Sequence, residues 1–525
     1  MKRGVPALVL IVAACVLAAG CGEPYDLESV RARADEMSTR ILTAYYDSDA
    51  YGEESMMAEI TADYDDLADP ELARYVAERR DEARDPRSRK QLSYLYYDVV
   101  GTMVWKELAA IEDEILDVES GGSVTVAGEE IPYRDAGIRL YNETDSELRE
   151  SLYLAMGEFD ARNTNPLRME RVERTRERLR DYGFSDLDEF ESQRRCIDHD
   201  DLEDSVVSFL EETRDIYWTL TNDASLDVFG VPVTEVKDYD RGRIFRGAEF
   251  DEHFPADGAL PLLEKTLLGM GIDLDELPMI HIDSEDRPEK EPRPASYGIV
   301  PGRDVRILLK PAGGVGDYQS LFHEIGHALH DAFVEVDEYE FRRLGDYGTT
   351  ETHAYVPESL LSNPAFLEEN GLLPDPAARK LFRRKQLLGD LGSARYYAGL
   401  FRYERLLHRG ELTDAELVDA YGEFMEESRL VPLERPEFGY LSSDEEFYGV
   451  NYLEAWFLAA QVRAALVERF GETWWNSVEA GELLKELWSY GAELCPDEIA
   501  RILGYDGLDS SYFIEELRST YADVM

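Results

Sequence analysis

The sequence contains few positive charges for its length. Its 525 residues include 55 Lys and Arg against 111 Asp and Glu, which gives a formal net charge of −56 at pH 7. The acidic residues are dispersed along the chain and form no acidic tail, a distribution typical of a solvated surface. Such a surface repels phosphates, so we expect no nucleic acid partner. It would suit a salt-rich habitat, where counterions screen the repulsion.

Cysteine is also scarce, and the four cysteines form no Cys-x-x-Cys pair. This absence argues against a thiolate zinc site and against a thioredoxin-like redox motif. Cys15 and Cys21 belong to the N-terminal segment. Cys196 and Cys495 either form a disulfide in an oxidising compartment or remain two buried thiols, and their spacing does not decide between these alternatives.

Long apolar runs are absent after the first twenty residues, so the rest of the chain has no predicted membrane span. At the N-terminus, Lys2 and Arg3 precede an apolar run from Val5 to Ala19 that is too short to span a membrane comfortably. This order is typical of an export signal. We therefore predict that residues 1–20 are a signal peptide.

The signal segment ends in Leu17-Ala18-Ala19-Gly20-Cys21, which resembles a bacterial lipobox. The resemblance implies that the signal is removed, that Cys21 receives lipid, and that the exported protein is anchored to the membrane of the cell envelope. Ala18 departs from the leucine usual at that position. The alternative is an ordinary cleaved signal that leaves Cys21 as a free thiol.

Periodic apolar positions predict that most of residues 25–290 are helical. The predicted helices are Leu27–Tyr46, Pro70–Arg84, Ser88–Leu116, Asp145–Tyr182 and Asp200–Asp223. The other predicted elements are a hairpin near Ser123–Tyr133, a proline-rich charged linker at Asp286–Pro294, a strand at Asp304–Lys310, and helices at about Thr350–Leu361 and Asn451–Phe470.

The most informative stretch is His323-Glu324-Ile325-Gly326-His327. On an α-helix, residues four apart share a face, so His323 and His327 can bind one metal ion, while Glu324 is rotated by about 100° and can reach a water beside it. Two neutral imidazoles, one further ligand and a water complete a tetrahedral zinc site. The surrounding residues are apolar on nearly all sides, which predicts a buried helix with Asp317 as its N-cap.

The third ligand is expected among the carboxylates that follow this helix. Glu335, Glu338 and Glu340 come too soon in the chain to fold back easily. Glu351 and Glu358 are seven residues apart on the next predicted helix, about 10 Å apart along its axis, so one zinc ion cannot bind both.

Phe322–His330 and Thr350–Glu358 together resemble the two motifs of the gluzincin metallopeptidases of the thimet oligopeptidase, oligoendopeptidase F and angiotensin-converting enzyme group. Glu351, 24 residues after His327, stands at the group's usual position for the ligand glutamate. The resemblance implies one zinc ion per chain, bound by His323, His327 and Glu351, with Glu324 as the general base.

Two further residues of these motifs have weaker interpretations. Glu358 is either a partner of the metal ligands or a carboxylate on the helix surface. His330 lies two turns from His323 on the same face and is interpreted as a cleft-side histidine without a metal role.

Tyr448 and Tyr452 resemble the tyrosine-rich segment that faces the zinc across the cleft in this group. A phenol can donate a hydrogen bond to the oxyanion of a tetrahedral intermediate, and Tyr452 is the preferred donor. The alternative is a structural role for either tyrosine. The histidine that the group carries a few residues earlier is absent from Leu441–Glu446, which leaves endo- and carboxypeptidase action both open.

The resemblance implies a mainly α, two-lobed helical metallopeptidase fold with a deep central channel and a small β element near the zinc helix. Residues 21–525 would form one domain, with a mostly helical part at 22–290 and a zinc-binding catalytic part at 295–525. The channel would admit short unstructured peptides, and the strand Asp304–Lys310 would pair with their backbone.

The expected function is therefore zinc-dependent hydrolysis of short peptides. One alternative is a carboxypeptidase or dipeptidyl carboxypeptidase on the same fold. The other is a catalytically silent peptide-binding lipoprotein, which would not need Glu324 beside both histidines. The sequence leaves the oligomeric state open.

Overall fold

The computed structural model describes residues 24–54, 56–245, 247–310, 312–441 and 447–525. The predicted signal peptide at 1–20 and the predicted lipidation site at Cys21 lie outside these ranges. Within them, no helix is both long and apolar enough to cross a membrane.

Helices dominate the described chain, so the predicted mainly α class is confirmed. The helices before the main sheet are α1 (Leu27–Tyr51), α2 (Met57–Ala62), α3 (Pro70–Glu82), α4 (Pro86–Gly121), α5 (Tyr133–Asn142), α6 (Ser146–Asn163), α7 (Asn165–Asp181), α8 (Leu187–Arg195), α9 (His199–Glu212), α10 (Arg214–Phe229) and α11 (Ala259–Gly269). The strands are β1 (Ser123–Val126), β2 (Glu129–Pro132), β3 (Ile280–Asp283), β4 (Ala295–Val300) and β5 (Asp304–Leu308).

The remaining helices follow the sheet. They are α12 (Val315–Ala332), α13 (Tyr339–Arg343), α14 (Tyr347–Glu358), α15 (Pro364–Glu369), α16 (Pro376–Arg409), α17 (Asp414–Arg429), α18 (Tyr448–Phe470), α19 (Val478–Ser489), α20 (Pro496–Leu503) and α21 (Ser511–Val524). Short 3₁₀ turns occur at Asp65–Leu67, Val233–Glu235, Asp238–Phe245, Ala248–His253, Leu274–Glu276, Ser359–Ser362, Pro436–Phe438 and Trp474–Asn476.

Two predicted long helices are each broken in two. The first breaks at Thr164, between α6 and α7, because Pro166 lacks an N–H and disfavours helical geometry in the residue before it. The second breaks at Thr213, between α9 and α10, where the threonine hydroxyl donates to the carbonyl of Phe209 and accepts from Arg395. The predicted hairpin is confirmed, since β1 pairs antiparallel with β2.

The main sheet has three strands in the order β3-β5-β4, with β3 parallel and β4 antiparallel to β5. The expectation that β5 pairs with a bound peptide is therefore wrong, because β5 already pairs on both sides. β4 is the edge strand next to α12. The predicted linker connects β3 to β4 within this sheet, and it is anchored by the buried Lys290, whose ammonium donates to Asp283 and to the carbonyl of Leu309.

The segment near residues 290–295 does not separate two cores. One apolar cluster combines side chains from before it, such as Val100 and Phe209, with side chains from after it, such as Leu391 and Phe457. A second cluster surrounds α12 and includes Phe322. α12 is buried as its composition predicts, with its main apolar side chains at most 1% exposed (Leu321, Phe322, Ile325, Ala328 and Leu329).

Cys196 and Cys495 are both free thiols in the structure, but only Cys495 is buried and Cys196 is exposed, so the expectation of two buried thiols holds for Cys495 alone. The hydroxyl of Tyr94 lies 3.6 Å from Sγ of Cys196 and 3.7 Å from Sγ of Cys495. Cys196 follows α8 and Cys495 precedes α20, so residues far apart in sequence meet at two helix ends.

Candidate metal centre

α12 begins at Val315, directly after two glycines that turn the chain. Gly313 and Gly314 have φ of 82° and 99°, a region that glycine adopts without strain. The prediction that Asp317 is the N-cap is wrong, because Gly314 holds that position. The Asp317 carboxylate lies inside the first turn and accepts the backbone N–H groups of Ala312 and Gly313, each at 2.6 Å.

Gly326 allows α14 to pack directly on the backbone of α12. A Cβ atom at this position would lie 2.3 Å from the carbonyl oxygen of His353 and 2.5 Å from Cα of Ala354. A Cβ atom essentially never comes this close to a non-bonded atom, so only glycine permits this approach of the two helices. The side chains of α14 consequently reach the histidines of α12.

Three potential ligand atoms converge between α12 and α14. Nε2 of His323 lies 3.2 Å from Nε2 of His327 and 3.4 Å from Oε2 of Glu351, and Nε2 of His327 lies 3.9 Å from the same oxygen. Ligands at about 2.0–2.1 Å from a tetrahedral zinc ion are about 3.3 Å apart. Among the His, Cys, Asp and Glu side chains of the described residues, these three are close enough together to hold a metal ion.

The other side of each imidazole is held by a neighbour on α14. Nδ1 of His323 donates to Oε2 of Glu358 at 2.9 Å, and Nδ1 of His327 lies 2.9 Å from Oγ1 of Thr350. With the protons on Nδ1, both Nε2 lone pairs face Glu351, as metal-binding histidines require. Oε2 of Glu351 is buried and makes no hydrogen bond within the described chain, which also fits a metal ligand.

The same contacts shift the pKa values of these side chains. Burial lowers the pKa of His323, but contacts with Glu351 and Glu358 outweigh it and raise the value to about 10. Burial also dominates at His327 and lowers its pKa to about 4. Burial would raise the pKa of Glu351, yet His323 and His327 hold it below its ordinary value. His323 and Glu351 thus each favour the charged form of the other.

Glu324 lies on the side of α12 that faces the edge strand β4. Burial raises the pKa of its carboxyl to about 7, although the charge of His323 and the backbone of Ser296 in β4 act in the opposite direction. Glu324 is not among the three converging ligand residues.

Aromatic rings form one wall of the site. The ring of Tyr355 on α14 contacts His323, with ring centroids 5.2 Å apart. The ring centroid of Tyr452 lies 6.4 Å from that of Tyr355. Tyr448 packs on Tyr452 at 5.3 Å. Burial and the charge of Glu351 raise the pKa of Tyr452 above its ordinary range, so its phenol keeps its proton. Sequence analysis missed Tyr355, although its position one turn after Glu351 is a signal for the same face.

His330 does not line the cleft as expected. It is 5% exposed, and its Nε2 lies 3.0 Å from the carbonyl oxygen of Gly491. Its ring packs against the buried His353, with centroids 4.6 Å apart. The helix face that carries His323 becomes buried two turns later, under α14 and α19.

No protein-family model matches the chain, and no curated protein gives a significant match.

Proposed function

We propose that the chain is a zinc-dependent peptidase of the gluzincin type, similar to the thimet oligopeptidase, oligoendopeptidase F and angiotensin-converting enzyme group. The supporting observation is the convergence of Nε2 of His323, Nε2 of His327 and Oε2 of Glu351, at separations of 3.2–3.9 Å, beside Glu324. One zinc ion per chain would be held by these three residues, and Glu358 and Thr350 would fix the orientation of the imidazoles.

When bound, zinc supplies Lewis-acid polarisation of the scissile carbonyl and lowers the pKa of a nearby water. Glu324 accepts a proton from the attacking water while the water oxygen bonds to the carbonyl carbon. Glu324 then delivers this proton to the nitrogen as the C–N bond breaks. Tyr452, or its neighbour Tyr448, donates a hydrogen bond to the carbonyl oxygen as negative charge develops there.

The proposed substrates are short unstructured peptides that enter a channel between two lobes. Endopeptidase, carboxypeptidase and dipeptidyl carboxypeptidase action are all compatible with this arrangement. A silent peptide-binding protein is the alternative from another class. The enclosed carboxyl of Glu324 favours the enzyme, because peptide binding alone needs no base at that position.

The decisive test is Glu324→Gln, which keeps the side chain's size and removes its ability to accept a proton. Zinc content, measured by elemental analysis, should stay at one per chain, and cleavage of a mixed peptide set should fall by about 10²–10⁴-fold. The exposed Glu335→Gln is the matched control and should cleave normally. Near-normal hydrolysis by zinc-loaded Glu324→Gln would overturn the mechanism. No cleavage by the wild type, with or without high salt, would favour the silent binder.

The proposed location is the cell envelope, with a lipid anchor on Cys21. A cysteine that carries two acyl chains buries enough CH₂ groups for stable membrane attachment. We expect Cys21→Ser to move the protein from the membrane fraction to the soluble fraction, or to mis-sort it, as measured by fractionation and by mass spectrometry of the N-terminal peptide. A soluble wild-type protein without lipid would contradict the proposed anchor.

A further inference from the structure

A cavity of about 660 Å³ shares a wall with the candidate metal centre. Gln319, one turn before His323, lines it together with Tyr355 and Glu358. Tyr355 contacts the His323 ring, and Glu358 accepts from the same imidazole. A group bound in this cavity therefore lies next to the residues proposed to carry out hydrolysis.

The lining of this cavity is predominantly acidic, with five carboxylates against two guanidinium groups. Both guanidinium groups already have partners. Arg463 donates from Nε and Nη2 to Oε2 of Glu516, at 3.0 and 2.9 Å, and Nε of Arg383 donates to the carbonyl of Ser362 at 3.2 Å. The cavity thus has carboxylate charge that its own cations do not neutralise.

One of these carboxylates is Asp390, on α16. Its side chain is exposed to the solvent in this cavity, although protein atoms surround much of the cavity. Among the described residues, it forms no hydrogen bond and no ion pair, so a cationic group in the cavity can pair with it. Burial raises its pKa to about 7, the charges of Glu358 and Glu516 add to this effect, and Arg463 opposes it.

Two aromatic rings complete the wall beside this carboxyl. Tyr355 and Trp456 both line the cavity, with ring centroids 5.6 Å apart. The faces of such rings attract cations, and the attraction increases when the cation is shielded from water. A carboxylate without an ion-pair partner, next to aromatic faces, is a favourable environment for an ammonium or guanidinium group.

We propose that this cavity binds a Lys or Arg side chain of the peptide substrate, with Asp390 as its counter-ion and Tyr355 and Trp456 against its apolar stem. This inference rests on the proposed peptidase function and adds a substrate class to it: peptides with a basic residue near the cleaved bond. The net charge of −56 on the chain would also attract such peptides.

The test uses pairs of peptides whose other side chains are uncharged and which differ only by Arg or its uncharged analogue citrulline at one position, with the position varied along the peptide. Binding is measured by calorimetry to full-length, zinc-loaded Glu324→Gln protein, which avoids turnover. At one position, the Arg peptide should bind at least about tenfold more tightly than the citrulline peptide. Adding Asp390→Asn should bring this ratio close to one, whereas Asp390→Glu should retain it.

The exposed Glu411→Gln is the matched control, since it removes the same charge away from the cavity and should leave the ratio unchanged. An Arg-to-citrulline ratio that Asp390→Asn does not alter would overturn the inference. So would the finding that the cavity selects a free C-terminal carboxylate and loses this selection in Arg383→Gln. Absence of binding by every peptide would overturn it as well.

Cleavage by the wild type separates this inference from the proposed function. Asp390-dependent binding without cleavage of any peptide would refute the peptidase and retain the cavity assignment. Cleavage of Arg and citrulline peptides at equal kcat/KM, with equal binding, would refute the cavity assignment and retain the peptidase.

Discussion

At the scale of single residues, the candidate metal centre depends on which atoms point inward. His323 and His327 each use Nδ1 for a partner on α14, Glu358 or Thr350, and this leaves Nε2 for a metal ion. The His-Glu-x-x-His spacing is sufficient to predict the two histidines and Glu324. Thr350 and Tyr355 could not be predicted in the same way, because their roles depend on how closely two helices approach.

Glu351 is the residue whose role is most directly testable. Glu351→Gln should reduce zinc from one per chain to a small fraction, because the site would keep only neutral ligands while the buried charge of the ion would lose its carboxylate. Glu358→Gln should retain most of the zinc with an affinity lowered by about 10–100-fold, as for other partners of metal ligands. Titration with a zinc chelator measures both. Full zinc in Glu351→Gln and an empty site in Glu358→Gln would reverse the two assignments.

At the scale of elements, the contact between α12 and α14 determines the geometry of the site. α14 lies close enough to α12 only because residue 326 has no side chain. The His-Glu-x-x-His motif specifies a helix, but it carries no information about which face of the next helix packs on it. The glycine before the second histidine is the local signal for this packing.

Gly326→Ala should therefore destabilise the protein and weaken zinc binding together. The new methyl group would force α12 and α14 apart, at a cost of about 1–3 kcal/mol in the free energy of unfolding. Gly316→Ala is the matched control in the same helix, because a Cβ there has no atom within 4 Å. It should stabilise α12 slightly through helix propensity. Chemical denaturation with and without zinc measures both effects, and a Gly326→Ala protein as stable as the control would contradict the packing argument.

The small sheet illustrates where prediction from sequence failed. β5 was predicted from its alternating apolar residues, but β3 and β4 flank a segment rich in proline and charge that favours a linker. The buried Lys290 converts this segment into a fixed connection through several hydrogen bonds. Such long-range contacts are not visible in a local pattern, and for that reason the edge strand was wrongly assigned to β5.

At the scale of the whole molecule, helices from both halves of the chain share one core, and the surface carries a large negative charge. The mainly α class was predictable because long, periodically apolar segments make up most of the sequence. The breaks at Thr164 and Thr213 were not predicted, since one lies beside a proline within a continuous pattern and the other needs Arg395 from α16. Because acidic residues greatly outnumber basic ones, several enclosed carboxyl groups form no ion pair among the described residues.

These enclosed carboxyls give the molecule a specific dependence of stability on pH. Burial raises the pKa of Asp331 from 3.8 to about 7 and that of Asp98 to about 6. At a pH between the pKa values of the unfolded and the folded chain, only the folded chain binds these protons. This stabilisation is therefore fully present below about pH 4 and is lost as pH rises through about 7. Burial lowers the pKa of His330 from 6.5 to about 4, so this histidine reduces the stability of the fold as pH falls below about 6.5.

From pH 8 to pH 6.5 the wild type should become more stable as pH falls, through Asp331 and, without zinc, also through the raised pKa of His323. Asp331→Asn should reduce this change in the free energy of unfolding by about 0.5–1 kcal/mol, because the amide cannot take up the proton. The exposed Asp337→Asn is the control and should leave the change intact. Denaturant unfolding at the two pH values, in low and in high salt, measures the difference.

Salt should reduce the part of the pH dependence that comes from surface repulsion. It should spare the part that depends on Asp331, whose carboxyl lies against Gly298 in β4. An Asp331→Asn protein with the full pH dependence of the wild type would show that this carboxyl is ionised in the fold, and that surface charge alone sets the dependence.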